Sequence, residues 1–389
     1  YDHLNQTVQE VINGVRVVKS FVREEKEIDR FKEASEQIKQ VFMKAEKLIA
    51  LNSPIMQIAV YSSLLVVYWF GAKFVVAGSM TPGTLTSFIM YMLQILNSLM
   101  MFSMIFVMIV ISEASCERVA EVLTEKSTLT NPENPVTTIE NGEIEFKNVS
   151  FKYYPEAQEA DLANISFKIE SGQTIGIIGG TGSGKSSLIQ LIPRLYDTTQ
   201  GEVYVAGRNV KEYDLVTLRD QIAMVLQKNT LFSGTILENL RWGDKDASLA
   251  EVKRMASLAQ ADQFVSTFPE EYNTILDQGG NNVSGGQKQR LTIARALLKK
   301  PKILILDDST SAVDTKTDAK IRQAFKEEIP NTTKIIVAQR VSSIQDADKI
   351  IVLDEGKING IGTHEELLAN NQIYQEVYES QVKGGRISE

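Results

Sequence analysis

Two long stretches constrain this chain more than anything else in it: residues 84–111 carry no charged side chain, and residues 54–77 carry only Lys73. Each is longer than the roughly 20 apolar residues that cross a bilayer as a helix. The breaker cluster Gly78-Ser79-Met80-Thr81-Pro82-Gly83 between them predicts a helical hairpin in a lipid bilayer. Lys73 lies near enough to one end to snorkel toward the interface. The Lys- and Arg-bearing flank before the hairpin places that side in the cytoplasm and the short turn outside.

Before the spans, residues 1–50 mix both charges with apolar residues at helical spacing, as at Val11, Val15, Val18 and Val22, so the membrane helix is expected to continue into the cytoplasm. The sequence begins at Tyr1 in what reads as the middle of a long helix, which suggests an N-terminally incomplete chain. Helical character persists over 112–125, and 126–141, with Pro132 and Pro135, reads as a linker. From Glu143 strands and helices alternate, as in a parallel-sheet nucleotide-binding domain. The expected organisation is 1–125 membrane segment, 126–141 linker, 142–381 nucleotide-binding domain and 382–389 tail.

With 389 residues, 43% apolar and a net charge of −8, the chain has room for more than one domain and lacks the basic field of a nucleic-acid surface. Its single cysteine, Cys116, excludes an internal disulfide and reads as a small apolar side chain near a membrane helix end. His364, in Gly362-Thr363-His364-Glu365-Glu366, reads as part of a helix start and not as a ligand.

The chemistry lies in the second half. Gly179-Gly180-Thr181-Gly182-Ser183-Gly184-Lys185-Ser186 fits G-x-x-x-x-G-K-[ST], follows the apolar strand 174–178 and opens a helical run at 187–195, the context that a phosphate loop requires. Its glycines let backbone amides wrap phosphates, Lys185 reaches the outer ones, and Ser186 can ligate Mg²⁺. Ser284-Gly285-Gly286-Gln287 precedes a helix and offers a hydroxyl, free amides and a positive helix end to a terminal phosphate. The apolar run Ile303-Leu304-Ile305-Leu306 ends on the pair Asp307-Asp308.

Together these motifs make the chain resemble an ABC transporter of the exporter type, over essentially its whole length: an α/β P-loop ATPase domain with a helical subdomain, preceded by an all-α segment similar to the last two of six transmembrane helices. The resemblance implies that the family's first four helices and its cytoplasmic coupling loops are missing from this sequence. It also implies ATP and Mg²⁺ as cofactors, a multi-pass position in the cell membrane with the nucleotide-binding domain in the cytoplasm, a second half-transporter as partner, and a transported solute. Gly179 to Ser187 would hold the phosphates, Tyr153 would stack on adenine, and Ser186, Gln227 and Asp307 would serve the metal. Ser284 to Gln287 would complete the partner's ATP site, and Asp314, in Ser311-Ala312-Val313-Asp314, would belong to the loop crossing between the two sites.

Departures from the family pattern sharpen the expectation. Asp308 stands where members carry a glutamate, so its carboxylate falls one methylene short of a position from which a base contributes about 10² to 10⁴ in rate. Gln339 occupies the position of a switch histidine, and its neutral amide carries neither proton nor charge. Gln278 replaces a glutamate ahead of the signature. Asp308, Gln339 and Gln227 are therefore expected to form a slow catalytic site, in one half of a heterodimer whose partner carries the glutamate and the histidine. A homodimer with slow hydrolysis and a nucleotide-gated membrane regulator share most of these features; a soluble ABC protein would lack the spans. The transported solute stays open among drug, lipid, peptide and other small molecules, and Met90, Tyr91, Phe102 and Phe106 are candidate cavity-lining residues only.

Overall fold

The computed structural model describes residues 2–308 and 313–385, with side chains through Gln381. Two compact units divide at Lys126 and Ser127. Each is described by itself.

The first unit is helical, and its two longest helices, Glu24–Val76 and Pro82–Thr124, are long and apolar enough to cross a membrane. At ~1.5 Å per residue the 53-residue helix is about 80 Å long, far beyond a ~30 Å hydrocarbon core, so it extends well outside the lipid. The helix continues unbroken through Pro54, the expected start of the span. The turn is built as the breaker cluster predicts: Gly78 is left-handed (φ 73°), and the Thr81 hydroxyl caps the second helix by accepting from the Thr84 amide at 3.2 Å. The two helices then run side by side. A Cβ on Gly71 would stand 2.2 Å from a Leu85 methyl, so a larger residue there would push the Leu85 side chain aside, and the Ser103 hydroxyl donates to Asn52 Oδ1 at 3.4 Å.

The uninterrupted helix expected over 1–50 is not formed. Helices Asp2–Asn13 and Val15–Ser20 are separated at Gly14, and the chain turns at 21–23, where Val22 adopts φ 51°, before Glu24 opens the long helix. Helical spacing survived on both sides of the turn, which is why periodicity alone concealed it. The reversal stacks the first helix on the long one: Thr7 and Ala34 are buried, and Arg30 Nη2 pairs with Glu10 Oε2 at 2.8 Å.

The second unit holds two main sheets. The expectation of a purely parallel sheet fails at the start of this unit, where Ile144–Phe151, Leu162–Ile169, Gln200–Val205 and Arg208–Asn209 form an antiparallel sheet. Along Leu162–Ile169, Ile165 and Ile169 are buried while Asn164, Ser166 and Lys168 are exposed, one face in and one out, as suits antiparallel pairing. The six-stranded sheet runs Lys357–Gly362, Lys349–Asp354, Thr174–Gly179, Thr333–Val337, Ile303–Asp307, Ile222–Val225, with every neighbouring pair parallel except the first. Ile303–Asp307 and Thr333–Val337 are buried at every position, as central parallel strands covered on both faces must be. A helical subdomain containing Leu249–Leu258 and Gly285–Leu298 packs against this core. The segment before Ile144 is tied to the second unit: Val136 donates to the Glu212 carbonyl at 2.8 Å, and Ile139 is buried.

Candidate nucleotide site

Parallel strands bring their carboxyl ends to one edge of a sheet, and the loops beyond that edge form the usual ligand crevice. Here four adjacent strands deliver, in order, the phosphate loop after Thr174–Gly179, Gln339 after Thr333–Val337, Asp307 and Asp308 at the end of Ile303–Asp307, and Gln227 after Ile222–Val225. Register fixes the alignment, since Val337 pairs with both Ile177 and Asp307. Residues 160 positions apart in sequence thus share one edge.

Glycine is required at two points of the phosphate loop. Gly182 and Gly184 have φ 81° and 90°, and a Cβ on Gly184 would also lie 2.7 Å from a Leu162 methyl. A Cβ at Gly180 or Gly182 would meet nothing within 4 Å, so the loop's mouth is open to a ligand. Lys185 begins the following helix, and its ammonium donates to the carbonyls of Gly179 at 3.0 Å and Gly180 at 2.6 Å and to the Ser183 hydroxyl at 3.3 Å. That helix, Lys185–Gln190, is shorter than the expected run to 195; turns ahead of Pro193 replace its end.

The Ser186 hydroxyl donates to Asp307 Oδ2 at 2.9 Å, joining the phosphate loop to the neighbouring carboxylate. Asp308 departs from ordinary strand geometry: its φ is 48°, and its amide donates to the Val337 carbonyl at 3.0 Å. Gln339 Nε2 donates to Asp308 Oδ2 at 2.8 Å, and Gln227 hydrogen-bonds the same carboxylate. Asp308, Gln339 and Gln227 therefore form one polar cluster.

Burial raises the pKa of both carboxylates. For Asp307 the hydrogen bond from Ser186 and the Lys185 charge oppose that effect, while the charge of Asp308 adds to it. For Asp308 the bonds from Gln339 and Gln227, with the charges of Lys185 and Arg340, oppose it. Burial likewise lowers the pKa of Lys185, against the attraction of both aspartates. A buried and a partly buried carboxylate beside one lysine form a site that favours an added cation, and a serine hydroxyl with an aspartate suits hard, oxygen-seeking Mg²⁺. Among the described residues no group of three or more His, Cys, Asp and Glu side chains could hold a metal ion by itself.

Tyr153 sits beside this loop, its hydroxyl 3.2 Å from Ser187 Oγ and 3.2 Å from Gln190 Oε1, its ring edge-on to Phe151 and Tyr196. Tyr154 is solvent-exposed. Ser284 is elsewhere, at the start of the Gly285–Leu298 helix, where it and Gln287 form a reciprocal cap: Ser284 Oγ accepts from the Gln287 amide at 3.3 Å and Gln287 Oε1 accepts from the Ser284 amide at 2.9 Å. The structure thus builds the phosphate loop, the aspartate pair, Gln227 and Gln339 into one site and places the Ser284–Gln287 turn on a separate element. Asp314 caps the helix Thr315–Glu328 and accepts from the Thr317 amide at 3.0 Å; Ser311 and Ala312 lie outside the described residues. Gln278 is exposed in a short 3₁₀ turn. His364 opens a helix, as expected, with Nδ1 2.7 Å from the Tyr374 hydroxyl.

Motif reading missed two residues beside this machinery. Arg290, one turn past the signature, donates to the Gly286 carbonyl at 3.3 Å and is felt electrostatically by Asp314. Gln381, in the last helix, bonds the backbone on either side of Arg340. Arg290 stands within a turn of the Ser284–Gln287 motif, whereas Gln381 lies about 40 positions from its partners and only three-dimensional proximity reveals it.

Comparison with known proteins finds ABC transporters matching both parts of the chain. The ABC transporter family matches residues 162–311, and the ABC transporter transmembrane region matches residues 1–112. The Bacillus subtilis ABC transporter ATP-binding protein YfiB is 39% identical over 380 residues, 98% of this chain and 66% of that protein. The "Probable multidrug resistance ABC transporter ATP-binding/permease protein YheI" of the same organism is 38% identical over 378 residues, 97% of this chain and 64% of its own length. A solved structure of a bacterial Atm1-family ABC exporter with ATP bound superposes with a TM-score of 0.89 at 28% identity, covering 96% of this chain and 66% of that one. The chain therefore spans just under two thirds of the length of these relatives.

Proposed function

This chain belongs to the ABC transporter family, a membrane segment joined to an ATPase domain, and from that premise we propose that it is the degenerate-site half of a heterodimeric exporter. The observation that carries the proposal is the polar cluster at the strand edge. Asp308 presents a short carboxylate already engaged by Gln339 and Gln227, with no histidine beside it. Likeness to an exporter solved with ATP supports ATP as the nucleotide, and the name of YheI supports a drug-like solute within the wider class of small molecules, lipids and peptides.

The residues divide into three tasks. Gly179 to Ser187, with the Lys185 ammonium, hold phosphates through amides and hydroxyls; Tyr153 offers a ring to adenine; Ser186, Asp307 and Gln227 would hold a magnesium ion, which would shield phosphate charge. Asp308 accepts hydrogen bonds from two neutral amides, and neither amide can take a proton away from it or support a charged intermediate. Its reach to an attacking water is about one methylene shorter than a glutamate's, and proton transfer demands ~2.6–3.2 Å. This site therefore binds nucleotide well and turns it over slowly. Ser284 to Gln287, with an exposed hydroxyl and helix amides, completes the partner's competent site.

Transport follows by alternating access: the dimer closes when both sites fill, the membrane helices turn outward, and turnover at the partner's site resets them. Isolation of the tagged chain from membranes, with identification of what accompanies it, tests the proposal. The expected companion is a second half-transporter carrying glutamate after the strand aspartate and histidine at the switch position. Recovery of a homodimer alone would contradict it.

A further inference from the structure

The last helix, Gln372–Gly385, reaches the nucleotide site through one side chain. Gln381 Oε1 accepts from the Val341 amide at 2.9 Å, and Gln381 Nε2 donates to the Gln339 carbonyl at 2.7 Å. One primary amide thus grips the main chain on both sides of Arg340. The same Gln339 sends its own side-chain amide to Asp308 at 2.8 Å, so a continuous chain of hydrogen bonds runs from the C-terminal helix to the carboxylate pair.

The helix is itself firmly seated. Tyr374 is fully buried, its amide donates to Asn371 Oδ1 at 2.9 Å, and its hydroxyl meets His364 Nδ1 at 2.7 Å. Ile373, Val377 and Tyr378 pack against the core. Gln381 follows Tyr374 by seven residues, two helical turns, which returns it to the same face. A side chain so placed has its position set by the core and not by solvent.

We infer that Gln381 is a positioning residue that holds the Gln339 switch in place, so that the C-terminal helix sets how this chain's site distinguishes ATP from ADP. The inference rests on the proposed reading of Gln339 as a partner of the terminal phosphate. Its consequence is specific, because ADP lacks the phosphate that a displaced Gln339 would lose.

The test uses the full chain in its assembled membrane complex, with ATP and ADP competing in turn against a photoreactive ATP that labels this chain. Gln381→Ala is expected to weaken ATP roughly two- to tenfold, the span of one net hydrogen bond, with ADP competition and the melting temperature unchanged. Gln381→Glu keeps the acceptor for Val341 and loses the donor to Gln339, so it should behave like the alanine variant. Equal weakening of both nucleotides, no change in either, or wild-type discrimination in Gln381→Glu would overturn the inference. Gln339→Ala separates the two layers: if it lowers ATP discrimination while Gln381→Ala does not, the clamp alone fails; if it leaves discrimination unchanged, the reading of Gln339 and the clamp fall together.

Discussion

The edge of the six-stranded sheet and the start of the Gly285–Leu298 helix both look built for phosphate, yet they differ in completeness. At the sheet edge, the phosphate loop and Asp307 are in place, while the next two positions carry Asp308 and Gln339, bonded to each other. At the helix, Ser284 to Gln287 form a full reciprocal cap with an exposed serine. Under the proposed function, one region has kept its binding groups and altered its hydrolytic ones, and the other shows no alteration. Uniform decay would leave no such boundary; under the proposed function, the chain's own site and its service to a partner's site answer to different demands.

The sharpest way to break that contrast is to damage the intact region. Ser284→Arg should lower ATP turnover of the assembled complex by roughly 10²-fold, the scale of losing a phosphate-stabilising donor, although Ser284 lies in what we propose is the slower subunit. Loss of its helix cap costs only about 1 kcal/mol, so unchanged melting with unchanged turnover would show that the turn serves no partner site. Next in size, Lys185→Ala should reduce photoreactive-ATP labelling of this chain by tenfold or more, since it removes the ammonium that lies on the phosphate loop. Undiminished labelling would place the nucleotide elsewhere.

Restoring the altered pair should move the sheet edge toward the helix in completeness. Asp308→Glu combined with Gln339→His, measured with the partner's own glutamate changed to glutamine, is expected to raise residual turnover roughly tenfold or more. No gain would locate the asymmetry outside this pair. The smallest effect concerns stability. Burial holds the Asp308 pKa above the ordinary carboxylate value and its charge raises that of Asp307, so the ionised form is disfavoured in the folded, nucleotide-free chain. An acid whose pKa rises on folding binds more protons folded than unfolded, so its stabilising effect is present at low pH and fades as pH climbs through the raised value. Asp308→Asn should therefore stabilise the nucleotide-free chain at neutral pH by about 0.5–1 kcal/mol, and the fall in stability with rising pH should become shallower.

Much of this was legible in the sequence because the decisive signals are local. The glycines and Lys185 sit within eight residues, the spans are continuous apolar runs, and Asp307-Asp308 closes an unbroken buried strand. What escaped is non-local or conformational. The turn at 21–23 has no breaker stronger than a left-handed Val22, and helical periodicity continues on either side of it. The antiparallel sheet was read as part of a parallel one because strand alternation does not state its partner. The bonds from Gln227 and Gln339 to Asp308 join three loops that only strand order brings together. Gln381 reaches Gln339 from 42 positions away, and no spacing rule foretells such a contact.

The division between a binding site and a hydrolysing site is tested most directly by ATP turnover of the purified pair with one carboxylate neutralised at a time. Changing the partner's glutamate to glutamine should nearly abolish turnover, by about 10² or more, while Asp308→Asn in this chain should cost less than about twofold. Equal losses from the two changes would contradict the account.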